Sequence, residues 1–253
     1  MRKLSMIAVV GVAVMLAAGT GGQVMGAIII DDFNANMAPV VSPATAFSLG
    51  WDLSTSYGAS PPYTYTVVYN ETSVPGVLGG TRATTVINNS DGTVAVDLLS
   101  ASPYEYIALS TPGWYSSSYG ELHLLYDGGG GGLSLNMSSW TSLSVDWDPD
   151  HVGNQKSTVM SFTLNDGVNS ATASRTWTTY ATPLRAVETF GLSEFTTNNP
   201  NLNLSSIDSI LFTFQSDRAG DAAFYSITAV PEPATMALLA LGGLALIRRR
   251  NRK

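Results

Sequence analysis

Between residue 28 and about residue 229, apolar residues recur at every second position in one short segment after another. The alternation is clear at Tyr63–Tyr69, Thr84–Ile87, Thr93–Leu98, Tyr104–Leu109, Leu143–Trp147, Val159–Leu164 and Ile210–Phe214. A period of two puts neighbouring side chains on opposite faces of the backbone, so each segment predicts a half-buried β-strand. Turn chemistry closes the segments. Asn88-Asn89-Ser90-Asp91-Gly92, Asp127-Gly128 and Asn165-Asp166-Gly167 supply residues that tolerate turn and left-handed backbone. The pattern predicts about a dozen strands, no amphipathic helix and an all-β fold, an antiparallel β-sandwich or barrel. Ile207, Ile210, Phe212 and Phe214 are expected to face its core, and Trp51, Trp140, Trp147 and Trp177 lie in strand-like patterns that also read as core. Pro61-Pro62 and Gly128–Gly132 read as loops inside one domain rather than as linkers.

The two ends follow different rules. Met1-Arg2-Lys3, an apolar run from Met6 to Ala18 and small residues from Gly19 to Ala27 follow the plan of a secretory signal peptide. Cleavage fits after Gly26 or after Ala27. The alternative is an uncleaved anchor, although the run is shorter than the roughly 20 residues that span a bilayer. At the other end, Val230-Pro231-Glu232-Pro233 precedes the apolar stretch Ala234–Ile247 and the cations Arg248, Arg249, Arg250, Arg252 and Lys253. As a helix the stretch would reach about 21 Å, against a hydrocarbon core of roughly 30 Å. It therefore needs bilayer thinning or snorkelling arginines to act as a transmembrane helix. The positive-inside rule keeps the basic tail cytoplasmic and everything before Pro231 outside, which agrees with the signal peptide.

This C-terminus resembles the PEP-CTERM sorting signal of Gram-negative bacteria that make exopolysaccharide. Pro231, Glu232 and Pro233 carry the resemblance, together with the span Ala234–Ile247 and the basic cluster Arg248–Lys253. The three parts stand in the right order at the extreme C-terminus. The resemblance implies passage through the general secretion machinery, removal of residues 1–27 by signal peptidase, and processing of residues 230–253 by a membrane-embedded exosortase. The product would be anchored transiently in the inner membrane, then released to the cell surface or extracellular matrix. Physically, two prolines remove two N–H donors and hold the peptide extended where a protease can take it. The alternative is a plain anchor that is never cut.

The domain between, residues 28–229, is similar to jelly-roll sandwiches of the carbohydrate-binding-module type. Its start, Ile28-Ile29-Ile30-Asp31-Asp32-Phe33, and its finish from Leu204 to Val230 carry this likeness, with Gly79-Gly80-Thr81-Arg82 and Leu125-Tyr126-Asp127-Gly128 between them. The resemblance implies a fold and no particular ligand, because sandwiches host many functions.

Composition narrows the chemistry. The 253 residues contain no cysteine and two histidines, His123 and His151, so disulfides, thiolate metal sites and thiol nucleophiles are excluded. A serine-hydrolase elbow, a Walker loop and a zincin motif lack their defining residues. Asp146-Trp147-Asp148-Pro149-Asp150 puts a carboxylate at every second position, where Asp146, Asp148 and Asp150 are candidate calcium ligands. Strand alternation accounts for the same residues, with Leu143, Val145 and Trp147 facing inward. Asp31-Asp32 is a second calcium candidate, and no other cofactor is expected. Trp114, Tyr115 and Tyr119 lie in a Ser/Gly-rich loop, where exposed rings would stack on a sugar and buried ones would cap the core. Glu105 and Glu121, on what read as adjacent strands, are the carboxylate pair a glycoside hydrolase would need. His123, between Leu122 and Leu124, reads as structural.

Charge completes the picture. The formal net charge is −7, but seven of the twelve cations belong to the two end segments. Five cations and eighteen acids remain in residues 28–230, a net charge of −13. Such a domain does not suit nucleic acid and favours neutral glycans, or anionic ones bridged by divalent cations. The sequence thus points to an exported, non-enzymatic protein with a structural or adhesive role in exopolysaccharide or biofilm. A glycan-binding module is the alternative.

Overall fold

The computed structural model describes residues 27–33, 50–55, 65–74, 76–88, 94–101, 104–110, 120–150, 158–177, 185–216 and 221–231. Ile29–Val230 form one compact unit; Met1–Ile28 with Pro231–Lys253 form a second, of which Ala27, Ile28 and Pro231 are described. The expected signal helix and transmembrane helix lie outside the described residues. Among the described residues no helix is long and apolar enough to cross a membrane.

The strands are β1 (Ile28–Asp31), β2 (Gly50–Thr55), β3 (Tyr65–Thr72), β4 (Thr81–Asn88), β5 (Val94–Ala101), β6 (Tyr104–Ser110) and β7 (Gly120–Tyr126), followed by β8 (Trp140–Asp150), β9 (Thr158–Asn165), β10 (Ser170–Trp177), β11 (Ala186–Gly191), β12 (Ser209–Ser216) and β13 (Asp221–Pro231). Sheet A has the order β11-β8-β13-β6-β5-β2, with β1 also paired to β13, and sheet B has the order β10-β9-β12-β7-β4-β3. The ladders are antiparallel, as in β12 against β7 with Phe212 opposite Leu124. Every alternating segment read from the sequence overlaps one of these strands, with Tyr63, Thr64 and Thr93 outside the described residues.

The alternation works as the period demands. β9 reads buried at every second residue from Thr158, and β12 buries Ile210, Phe212 and Phe214 completely. Rings from the two sheets meet between them. Phe162 of sheet B lies 5.1 Å from Phe190 of sheet A, and Phe212 and Phe214 lie 5.3 and 5.0 Å from Phe224. Trp147 joins this cluster at 5.8 Å from Phe214 and 5.0 Å from Trp177. Face-to-face packing of two antiparallel sheets over an aromatic core makes the described domain a β-sandwich.

One element departs from the sequence reading. No helix was expected, yet Leu192–Asn198 forms a short one, α1. Seven residues are too few to display helical periodicity. Only Leu192 and Phe195 are buried, a spacing of three on one face. Glu194 starts the helix by accepting the Gly191 N–H at 2.8 Å, one of the donors a helix start leaves unpaired.

Candidate functional site

β3, β4 and β7 lie side by side in sheet B and present two different surfaces. Inward, they carry charge. Glu71 and Arg82 are cross-strand partners, and Arg82 Nε donates to Glu71 Oε2 at 2.6 Å. Arg82 Nη1 donates to Asp31 Oδ2, also at 2.6 Å, and the Tyr126 hydroxyl donates to the same oxygen at 2.9 Å. Asp31 Oδ1 accepts the Phe33 N–H, and the guanidinium lies 5.5 Å from the Phe33 ring centre. Asp31 is fully buried and Arg82 is 1% exposed. Burial raises the Asp31 carboxyl above its ordinary range, with Arg82 opposing that shift. Glu71 is raised for the same reason. Burial works against the charge of Arg82, but Asp31 and Glu71 outweigh it and hold the guanidinium protonated. Burial and the nearby Asp31 raise Tyr126 well above the usual phenol range.

Outward, the same strands form a groove of about 610 Å³. Val68, Leu125 and Leu211 give it apolar patches, while Asn70, Thr85 and His123 offer hydrogen-bonding groups. Asp127, Gly129 and Gly130 line it as well. They belong to the turn after β7, where Gly129 N–H and Gly132 N–H both donate to Asp127, at its side chain and carbonyl respectively. Gly128, Gly129, Gly130 and Gly132 have positive φ, so the run Gly128–Gly132 is a tight turn built on backbone that other residues rarely adopt. The volume lies within the range of small-ligand sites. Its lining mixes aliphatic side chains with hydrogen-bonding groups. The described lining contains no aromatic ring.

The residues singled out from the sequence are dispersed. Asp146 and Asp148 lie half-buried on the outward face of β8, and Asp150 ends that strand. Asp146 accepts both Arg185 Nε and Nη2, at 2.8 and 2.6 Å, and the same guanidinium stacks 3.9 Å over the Tyr225 ring. Among the described residues no three His, Asp or Glu side chains form a group able to hold a metal ion. Asp31, read as a calcium candidate, instead holds Arg82 and Tyr126. Glu105 and Glu121 were expected on adjacent strands. Their strands β6 and β7 belong to different sheets, because the chain crosses the sandwich between them. Glu121 lies 2.7 Å from His123 Nε2 on the outer surface of sheet B. Trp114, Tyr115 and Tyr119 lie outside the described residues, as do Glu232, Pro233, Arg248, Arg249, Arg250, Arg252 and Lys253. The buried trio of Glu71, Arg82 and Tyr126 was not foreseen, although Arg82 at an inward position of the 82-84-86 alternation is a signal that could have found it.

β13 ends on Pro231, the first residue of the Pro-Glu-Pro motif. Residues 229–253 match the PEP-CTERM protein-sorting motif. The motif implies export, processing by an exosortase and sorting to the cell surface. No curated protein matches the chain by sequence. Among solved structures, the family 11 carbohydrate-binding module of a cellulosomal cellulase of Clostridium thermocellum is 14% identical, with 81% of this chain and 95% of that one covered and a TM-score of 0.34. The family 30 module of another cellulosomal cellulase of that organism is 15% identical, covering 73% of this chain and 92% of that one, with a TM-score of 0.35. An exo-β-agarase is 15% identical over 81% of this chain and 25% of its own length, with a TM-score of 0.36.

Proposed function

We propose that this chain is a non-enzymatic surface protein with a structural or adhesive role in an exopolysaccharide matrix. Residues 1–27 serve as its export signal, 28–229 as the mature sandwich and 230–253 as the segment an exosortase removes. The observation that carries the reading is the PEP-CTERM match at 229–253, joined directly to the last strand of a β-sandwich. The outer positions of β9 and β10 support a structural role. Ser161, Thr163, Ser170, Thr172, Ser174 and Thr176 make a hydroxyl-rich surface without charge, suited to many weak contacts with hydrated polymer. The test is replacement of Pro231-Glu232-Pro233 by alanines, followed by the mass and cellular fraction of the product. The wild-type chain should lose its basic tail and leave the membrane, whereas the variant should keep the tail. A wild-type chain that retains Arg248–Lys253 at its final location overturns the reading.

The groove on sheet B favours a second reading, a glycan-binding module. In it, Asn70, Thr85, His123 and Asp127 bind hydroxyls, while Trp114, Tyr115 and Tyr119 supply stacking surfaces. A glycan-array screen of residues 28–229, repeated with Leu125→Asp and Asn70→Ala variants, separates the two. Binding lost on both substitutions supports the module, and a blank array for the wild-type domain removes it.

A further inference from the structure

The head of the sorting motif is also the end of a strand. Ala229, the first residue matched, is fully buried, as is Ile227 two positions before it. The Val230 carbonyl accepts the Thr141 hydroxyl at 2.9 Å, a bond between residues 89 positions apart in the chain. β13 continues to Pro231, so the strand runs into the first residue of the Pro-Glu-Pro string. A peptidase that takes an extended substrate pairs with its backbone N–H and C=O groups, and a strand inside a sheet has already committed those groups. Proline cannot extend the ladder, so the strand end is where pairing is weakest and local opening begins.

We propose that the sandwich gates its own sorting: the exosortase acts on a state in which the end of β13 has peeled away from β8. The inference rests on the reading of 229–253 as an exosortase substrate. Thr141 is then a positioning residue that holds the motif head closed. Processing is fastest on a chain whose last strand has yet to dock, and it slows once the sheet is complete.

The experiment is a pulse–chase of the full-length protein in the bacterium that produces it, reading conversion of precursor to product. A Gly/Ser spacer inserted between Val230 and Pro231 leaves Pro231–Lys253 intact and frees the motif from the sheet. It should speed conversion several-fold, with the urea midpoint of the purified domain unchanged. A Thr141→Cys/Val230→Cys pair, in a chain with no other cysteine, should slow conversion under oxidising conditions and recover it with reductant. Wild-type conversion with no acceleration by the spacer overturns the gate. If the cysteine pair impairs folding, the spacer result alone decides. If the wild-type chain is never converted, the exosortase reading fails and the gate fails with it.

Discussion

Arg82 Nη1 donates to Asp31 Oδ2 at 2.6 Å across 51 positions of sequence, and by this bond the first strand of sheet A is tied to an inner strand of sheet B. The contact is deeply buried, with side-chain exposures of 1% and 0%. A second carboxylate, Glu71, meets the same guanidinium, so the cluster holds two acids for one base. Among the described residues, Glu71 Oε1, Arg82 Nη2 and Thr84 Oγ1 find no hydrogen-bond partner. The cluster is therefore strongly coupled and, among the described residues, incompletely satisfied.

Removing one partner leaves a buried charge alone, which typically costs about 3–5 kcal/mol. Arg82→Met should lower the urea midpoint accordingly, with the m-value unchanged. The triple variant Asp31→Leu/Glu71→Leu/Arg82→Met removes all the charges and should recover much of that loss, because apolar replacements of buried ion pairs are often neutral. A single variant within about 1 kcal/mol of wild type would show that the tie contributes little.

The cluster also sets a pH dependence. Burial raises Asp31 above its ordinary 3.8 and Glu71 above its ordinary 4.5. The folded state then keeps protons that the unfolded chain has lost, so their contribution is full below those ordinary values and is lost as pH rises through the raised ones. Asp166 acts with the opposite sign. Backbone N–H groups of Asn169, Asn203 and Val168 hold it at about 2, so its contribution is present above 3.8 and is lost as pH falls through about 2. Urea midpoints measured from pH 2 upward should show both slopes. Asp31→Asn/Glu71→Gln should flatten the fall on the less acidic side, and Asp166→Asn should flatten the acid limb. Unchanged slopes in these variants would contradict the assignments.

These two cases mark where sequence reading works and where it stops. Period-two alternation located β9 and β12 because each buries one face against the opposite sheet, and the same rule put Leu143, Val145 and Trp147 inward. It says nothing about which strands become neighbours. Glu105 and Glu121 were therefore placed on adjacent strands when the chain in fact changes sheets between them. The sorting motif was readable because it is a contiguous string, Pro231 to Lys253. The Asp31–Arg82–Glu71 cluster was not, since its three members come from separate strands and meet only when the sandwich closes. α1 escaped notice because its start depends on one contact, Glu194 to Gly191, that leaves no periodic trace.

The β9–β10 turn offers a sharper test of backbone demand. Gly167 has φ of +86°, and a Cβ there would overlap Asp208 Oδ2. Its N–H donates to Asn165 Oδ1 at 2.6 Å. Gly167→Ala should lose about 1–3 kcal/mol through left-handed strain and the clash together. Asp208→Ala in the same chain should recover only the clash, and a double-mutant cycle of urea midpoints separates the two parts. A tolerated Gly167→Ala would mean that the turn adopts another conformation.

β10 is an edge strand of sheet B, and three of its carbonyls accept side-chain donors. Asn198 Nδ2 donates to Thr172 O at 2.8 Å, Asn199 Nδ2 donates to Ser170 O at 3.0 Å, and Arg175 Nη1 donates to Ser174 O at 3.0 Å. Side chains from α1 and its C-terminal flank thus cover a row of groups that would otherwise template another strand. Arg175 is fixed in turn by both oxygens of Glu194 at 2.7 Å. A protein displayed at high local concentration gains from a blocked edge, because open edges associate without specificity. Asn198→Ala/Asn199→Ala should expose two acceptors with little change in α1, since alanine is a strong helix former. Light scattering of the concentrated double variant should then rise with time and show concentration-dependent β-rich assemblies, while the wild-type domain stays dispersed under the same conditions. Identical scattering from both proteins would mean that the edge is protected by its own twist and hydroxyl-rich side chains rather than by these two amides.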